Sequence, residues 1–190
     1  MPKVGMQPIR RAQLIKATIK TINKYGYADT TVSRIAKTAG LSVGIISHYF
    51  GGKDGLLEAT MQHLLFSLHR ELADNLREAS SPEERLEAMI ETILGPDQSQ
   101  SEVVTAWLAF WAQVPFSGSL QRIQNIYSRR MLSNTRHVLK QLGVHKRVDI
   151  LAELIAAFID GYWLRSVLSH QATDPTEARN MVHHMIHSHL

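Results

Sequence analysis

The chain has 190 residues, 44% hydrophobic and 20% charged, values that exclude wholesale disorder and allow a sizeable apolar core. It has no cysteine, which excludes a disulfide framework, a Cys-ligated zinc site and a thiol nucleophile, and fits a reducing cytoplasm. The net charge of +4 is uneven: residues 1–60 hold nine Lys or Arg against three acids, +6, which leaves −2 for the rest. A basic head on a near-neutral body points to a polyanionic partner at one end.

No segment reaches the ~18 uninterrupted apolar residues of a membrane span. Met1-Pro2-Lys3-Val4-Gly5 runs on into a charged segment and not into an apolar leader, so the expected location is cytoplasmic, nucleoid-associated when bound to DNA.

Taken in order, Ile15, Ile19 and Ile22 form one stripe of a first helix that ends near Gly26. Val32, Ile35, Ala36 and Ala39 repeat the period in a short second helix, with Thr31 placed to cap it and Gly40 to stop it. Ser42 is placed to cap a third short helix, which Gly51-Gly52 breaks after Phe50. A long fourth helix starts near Lys53 and carries Leu57, Met61, Leu64, Leu68, Leu72 and Leu76. Ser80-Ser81-Pro82-Glu83-Glu84 reads as a helix restart, with a serine cap, a proline and acids in the first turn. Gly95-Pro96, Pro115 through Gly118, Gly143 and Thr173-Asp174-Pro175 divide the remainder into helices five to nine. No run alternates with β-branched enrichment over strand length, so an all-α protein of about nine helices is expected.

The most specific pattern is Thr31 through Phe50, two short helices joined at a sharp corner, a helix-turn-helix. Ala36 supplies the small residue at the crossing, and Gly40 the tolerance of positive φ that the turn requires. Ile35, Ile46 and Phe50 are expected to close a small core against the first helix. Ser42, Val43, Gly44, Ile45, Ser47, His48 and Tyr49 then remain on the outer side of the third helix, short or flat enough for a major groove. Gly44 admits a close backbone approach and Ile45 suits a thymine methyl. Tyr49, Lys53 and Thr31 suit phosphate oxygens, and Arg34 either a phosphate or a base edge. Residues 1–52 thus read as a DNA-binding domain and 53–190 as a ligand-binding and dimerisation domain, joined through the long fourth helix.

Arg10-Arg11, Gly26, Thr31, Ile35-Ala36, Ala39-Gly40, Ser42, Gly44, Tyr49-Phe50, Lys53 and Leu56-Leu57 together resemble the TetR family of bacterial regulators. The motif covers about Arg10 to Leu57, and the likeness in length and helix order covers the whole chain. It implies an all-helical homodimer that reads palindromic operator DNA through three N-terminal helices and carries a divergent effector-binding body. Two positions depart from the usual pattern: Ile45 stands where threonine is common, and Ser47 where a tyrosine often meets the DNA backbone. Pro2 through Arg11, Gly44 through Phe50 and Thr105 through Trp111 resemble the family's choline-responsive members, repressors of glycine betaine synthesis genes in osmoprotection. The implied effector is therefore choline, with no cofactor, metal or catalytic residue.

Choline is a permanent cation whose nitrogen donates no strong hydrogen bond, and aromatic faces hold such a charge through their quadrupoles. Trp107, Phe110 and Trp111 share one helical face; Tyr127, Phe158, Tyr162 and Trp163 offer further rings, and Asp160 an acid in an apolar run. The same spacing is the ordinary pattern of a helical core, and an Asp-Gly pair serves equally in helix packing or at an interface. Helix eight, about Val148 to Ser169, is apolar beyond one stripe (Leu151, Leu154, Ile155, Phe158, Ile159, Tyr162, Leu164), and helix nine adds Ala178, Met181, Val182, Met185 and Ile186. That breadth predicts homodimerisation through helices eight and nine, a four-helix contact.

His183, His184, His187 and His189 have no acid close in sequence to complete a metal site, and imidazoles also suit a helix C-terminus. The chain lacks a phosphate-binding glycine loop, a His-Glu-x-x-His motif and a recognisable nucleophile, so no enzyme is predicted. The alternatives are a repressor of an efflux gene that senses other lipophilic cations, and an architectural DNA-binding protein without effector.

Overall fold

The computed structural model describes residues 6–95, 98, 100–169 and 174–188. They form α1 (Met6–Tyr25), α2 (Val32–Ala39), α3 (Gly44–Phe50), α4 (Lys53–Glu78), α5 (Pro82–Leu94), α6 (Ser101–Gln113), α7 (Gly118–Gln141), α8 (Val148–Ser169) and α9 (Pro175–His187). No strand occurs among the described residues. Among the described residues the expected all-α fold of about nine helices is what forms. A short 3-10 turn, Val114–Phe116, separates α6 from α7, within the break expected at Pro115 through Gly118.

Packing divides the chain into two compact units, residues 1–66 with 101–121, and 67–100 with 122–190. This division of packing differs from the functional one at residue 52, because the first unit also takes in the first turns of α4 and all of α6.

In the first unit, Leu14, Ala17, Ile35, Ala36, Ile46 and Leu56 form the core, with Ile15, Val32, Ile45, Tyr49 and Phe50 packed around it. The buried face of α1 is Leu14, Ala17, Thr18, Thr21 and Ile22; of the expected stripe Ile15–Ile19–Ile22 it keeps Ile22, while Ile15 and Ile19 are half-buried. The Thr18 and Thr21 hydroxyls donate to the carbonyls of Leu14 and Ala17 at 2.8 and 2.6 Å, so both threonines are satisfied while buried. An apolar periodicity cannot register them. α6 packs along α1 in the same unit.

Thr31 caps α2 as expected, accepting from the Arg34 amide, and Gly40 ends it at φ 65°. Such a cap contributes about 1 kcal/mol. The cap expected of Ser42 does not form. The chain enters α3 through Val43, already helical at φ −58°, and the amides of Ile45 and Ile46 bond to the Ser42 and Val43 carbonyls at 3.2 and 3.0 Å. This tight i to i+3 entry makes Val43, not Ser42, the residue that leads into the helix.

In the second unit, Ser81 caps α5 by accepting from the Glu84 amide at 3.1 Å, while the Glu84 carboxylate accepts from the Ser80 amide at 2.6 Å. The breadth of α8 resolves into two faces. Leu151, Ala152, Ile155 and Ile159 are buried, whereas Ile150, Leu154, Leu164 and Leu168 lie exposed. α9 packs on α5 and α8 through Ala178, Val182 and Ile186, leaving Met181 outside. Glu87 of α5 meets His183 and Arg179 of α9, and Arg179 also pairs with Glu91. An acid therefore does stand beside His183, brought by the fold from 96 residues away. His189 lies outside the described residues.

Candidate nucleic-acid interface and effector site

α3 is held by one fully buried residue, Ile46, and by the half-buried Ile45, Tyr49 and Phe50. Ser42, Val43, Gly44, Ser47 and His48 are exposed on its outer side, as a helix laid into a groove requires. Ile45 and Tyr49 are divided between core and surface, so each offers only part of its side chain to a partner. The His48 and Tyr49 rings lie 4.9 Å apart.

Three cations of the head, Arg34, Lys53 and Arg11, are tethered. Arg34 donates to the Asp29 carbonyl at 2.7 Å and lies 4.5 Å from the Tyr25 ring centre. Lys53 reaches the Tyr27 carbonyl at 3.4 Å and lies 4.5 Å over the Tyr27 ring. Burial and then the Asp54 carboxylate hold the Tyr27 hydroxyl above its usual range. Arg11 donates to the Tyr49 carbonyl at 2.6 Å with its guanidinium 4.3 Å from the Phe50 ring centre. In each case an aromatic face orients a cation at the same time as a carbonyl accepts from it. Arg34 and Lys53 remain partly open to solvent and are thereby pre-ordered at the corner between α1 and α2.

The rings predicted for the body fall in different units. Trp107 and Phe110 are closed to solvent in the first unit, edge to face at 6.0 Å, and Trp111 is half-buried 6.1 Å from Trp107. Tyr127, Phe158, Asp160 and Tyr162 belong to the second unit. The position of Trp163 is on α8; its side chain lies outside the described residues. Phe158 and Tyr162 lie a turn apart with their rings tilted at 34° and centres 6.0 Å apart, and the Tyr162 hydroxyl donates to the Asp174 carbonyl at 2.6 Å. Asp160 is turned by about 200° from Phe158, since each residue advances the helix by about 100°. It therefore shares the side of α8 that carries Asp149 and Glu153, which α7 neutralises through Arg136 at 2.6 and 3.8 Å. Asp160 itself neighbours Tyr127 of α7, whose hydroxyl is pushed up by burial and then by the Asp160 charge. Asp160 keeps an exposed edge, and desolvation of the rest of its side chain raises the carboxyl from 3.8 to about 6.

Two family models match the chain. One describes bacterial regulatory proteins of the tetR family and covers residues 14–60; the other describes the C-terminal part of the BetI-type transcriptional repressor and covers residues 82–190. The chain belongs to the TetR family, in its BetI-type branch. The HTH-type transcriptional regulator BetI 1 of Chromohalobacter salexigens is 43% identical across 100% of this chain and 95% of its own length. BetI of Escherichia coli K12 is 42% identical across 100% of this chain and 98% of its own. A transcriptional regulator from Saccharomonospora viridis, solved in complex with choline, shares the fold with a TM-score of 0.83 at 19% identity, covering 93% of this chain and 95% of that one. This BetI-type protein is thus a DNA-binding transcriptional repressor, and its relatives are regulators rather than enzymes.

Three features of the repressor's head escape a sequence reading. Tyr25 and Tyr27 flank Gly26 as stacking platforms for Arg34 and Lys53, and Arg11 reaches 38 residues along the chain to α3. Gly55, in the first turn of α4, lies against the backbone of Phe50. The sequence signal for Gly55 is a glycine where a helix former belongs. Among the described residues no single helix is long and apolar enough to cross a membrane, and no cluster of three metal-ligating side chains occurs.

Proposed function

We propose that this BetI-type repressor senses choline and controls glycine betaine synthesis genes, binding a palindromic operator as a homodimer through α8 and α9. The observation that carries the choline reading is full-length similarity to BetI regulators, 43% over the whole chain in one case. An aromatic face, as at Trp111, or a ring beside an acid, as at Tyr127 and Asp160, suits a permanent cation. A regulator of the same fold that binds choline agrees with that reading. Thr31, Arg34, Ser42, Val43, Gly44, Ile45, Ser47, His48, Tyr49 and Lys53 form the proposed DNA surface. Trp111 and the Tyr127–Asp160 neighbourhood are the first places to look for the cation, because Trp107 and Phe110 are closed to solvent.

The three tryptophans lie at residues 107, 111 and 163, two on α6 and one on α8, so a tryptophan-fluorescence titration reports from the helices proposed to hold the cation. Saturable quenching by choline, but not by the neutral isostere with carbon in place of nitrogen, is expected; equal responses to both would refute a cation-selective site. A broad response to lipophilic cations would favour the efflux reading. Trp111→Ala is expected to weaken choline binding about ten-fold, a cost of ~1.4 kcal/mol, with operator affinity unchanged.

The Asp160 carboxyl adds a pH dependence. Its carboxylate becomes available as pH rises through about 6, so choline affinity should climb across that interval and level off above it. For folding the sign is opposite. The unfolded chain ionises from 3.8, before the native state does, so the stability contribution of Asp160 is lost as pH rises from 3.8 to about 6. Asp160→Asn should flatten both profiles. A choline profile that keeps its step in this variant would remove Asp160 from the site.

A further inference from the structure

α3 has seven residues, no side-chain cap at its start and one fully buried side chain. So short a helix has little of its own to fix its direction, because isolated helices of this length are unstable in water. The contacts of its last turn therefore decide how it is presented. There, Arg11 of α1 donates to the Tyr49 carbonyl at 2.6 Å, and its guanidinium covers the Phe50 ring at 4.3 Å. The Tyr49 carbonyl is one of the final groups of α3, which carry the negative end of the helix dipole and have no partner within the helix. Arg11 is half-buried, and its carbonyl acceptor lies on the element that presents Ser47, His48 and Tyr49.

We infer that Arg11 is a positioning residue for DNA recognition: it clamps the C-terminal turn of α3 to α1 and so sets the angle at which α3 meets the groove, without itself neutralising a phosphate. A planar guanidinium donates in its plane while its face lies on an aromatic ring; a lysine ammonium, a point charge, does not reproduce that pair of contacts in one geometry. The inference rests on α3 being the helix that enters the groove.

The test uses the full chain and a short duplex selected by the wild-type protein from a random-sequence pool, with binding followed by fluorescence anisotropy over a range of salt. Arg11→Ala is expected to weaken binding about ten-fold or more while the slope of log K against log salt stays as in the wild type; loss of a phosphate contact would lower that slope by ~0.9. Arg11→Lys should not restore affinity. A restored affinity with Lys, or a reduced slope with Ala, would make Arg11 a phosphate contact and overturn the inference, as would an unchanged affinity. Thr60→Ala controls for general destabilisation of the first unit, since it deletes the buried Thr60 hydroxyl bond to the Leu56 carbonyl within α4, and Thr60 is not part of the proposed DNA surface. If Arg11→Ala and Thr60→Ala lose melting temperature and DNA affinity in the same proportion, Arg11 is merely structural. Gly44→Glu, on the exposed side of α3, tests the underlying reading separately. Binding that survives it withdraws α3 from the groove, and the inference with it.

Discussion

Gly55→Ala is expected to weaken operator binding by about ten-fold or more, a loss of at least ~1.4 kcal/mol. An ideal Cβ on Gly55 falls 1.9 Å from the Phe50 carbonyl oxygen and 3.1 Å from its carbonyl carbon. The obstacle is backbone, so no rotamer change relieves it. The first turn of α4 must move away from the end of α3 before the two fit, and that movement displaces the last turn of the helix bearing Ser47, His48 and Tyr49. Overpacking of this kind costs about 1–3 kcal/mol in stability. Groove recognition is more sensitive, because hydrogen bonds to base edges and phosphates weaken steeply outside a narrow range of distance and angle. Anisotropy on the selected duplex and circular dichroism would be read together. Gly118→Ala, where an added Cβ meets nothing within 4 Å, is the matched control and should bind as wild type. Undiminished binding by Gly55→Ala would mean that the α3–α4 junction tolerates displacement.

The second large effect is expected on the outer side of α8. Ile150, Leu154, Ala157, Gly161, Leu164 and Leu168 recur at intervals of 4, 3, 4, 3 and 4 residues, the spacing of a helix-to-helix seam. Ile150 is 57% exposed, Leu154 49%, Leu164 45% and Leu168 70%, an apolar stripe that one chain leaves uncovered. Ala157 and Gly161 at its middle admit close approach, since Gly161 meets nothing where a Cβ would stand. A second copy of the same stripe is its proposed cover, with Met181 of α9 at the margin. Leu154→Glu with Leu164→Glu places four carboxylates in that contact, which burial without partners disfavours strongly. The variant is expected to sediment as a monomer. It should also bind the operator about a hundred-fold more weakly, because linkage of two half-site contacts contributes factors of 10²–10⁴. A double variant that remains dimeric would place the contact elsewhere.

Most of the fold was legible because its punctuation is chemical. Thr31, Gly40, Ser81 with Pro82, and Gly143 each act through local geometry, and helix boundaries followed them to within a few residues. What stayed hidden depends on contacts distant in sequence. Thr18 and Thr21 are core residues because their hydroxyls bond to the preceding turn, which polarity scales cannot register. Ser42 looked like a cap, but the chain is already helical at Val43, and the first amides of α3 bond to the Ser42 and Val43 carbonyls. Glu87 meets His183 only when α5 and α9 pack. For the DNA surface, sequence picked out exposed positions on α3 but assigned Ile45 and Tyr49 wholly outward, whereas the core claims part of both. For the body, Asp160 stood out as an acid in an apolar run, but its ring neighbour was not legible: the turn of about 200° from Phe158 sets it beside Tyr127 of α7, a contact that depends on how α7 and α8 pack.

The account's central claim is that choline governs the operator affinity of this repressor, and the most direct measurement is anisotropy of the selected duplex with the full chain while choline or its neutral carbon isostere is titrated. The account predicts that choline weakens the complex in a saturable way and that the isostere leaves it intact. An operator affinity that stays constant while choline saturates the fluorescence response of the body would contradict it, because two sites whose ligands do not alter each other's affinity are not coupled.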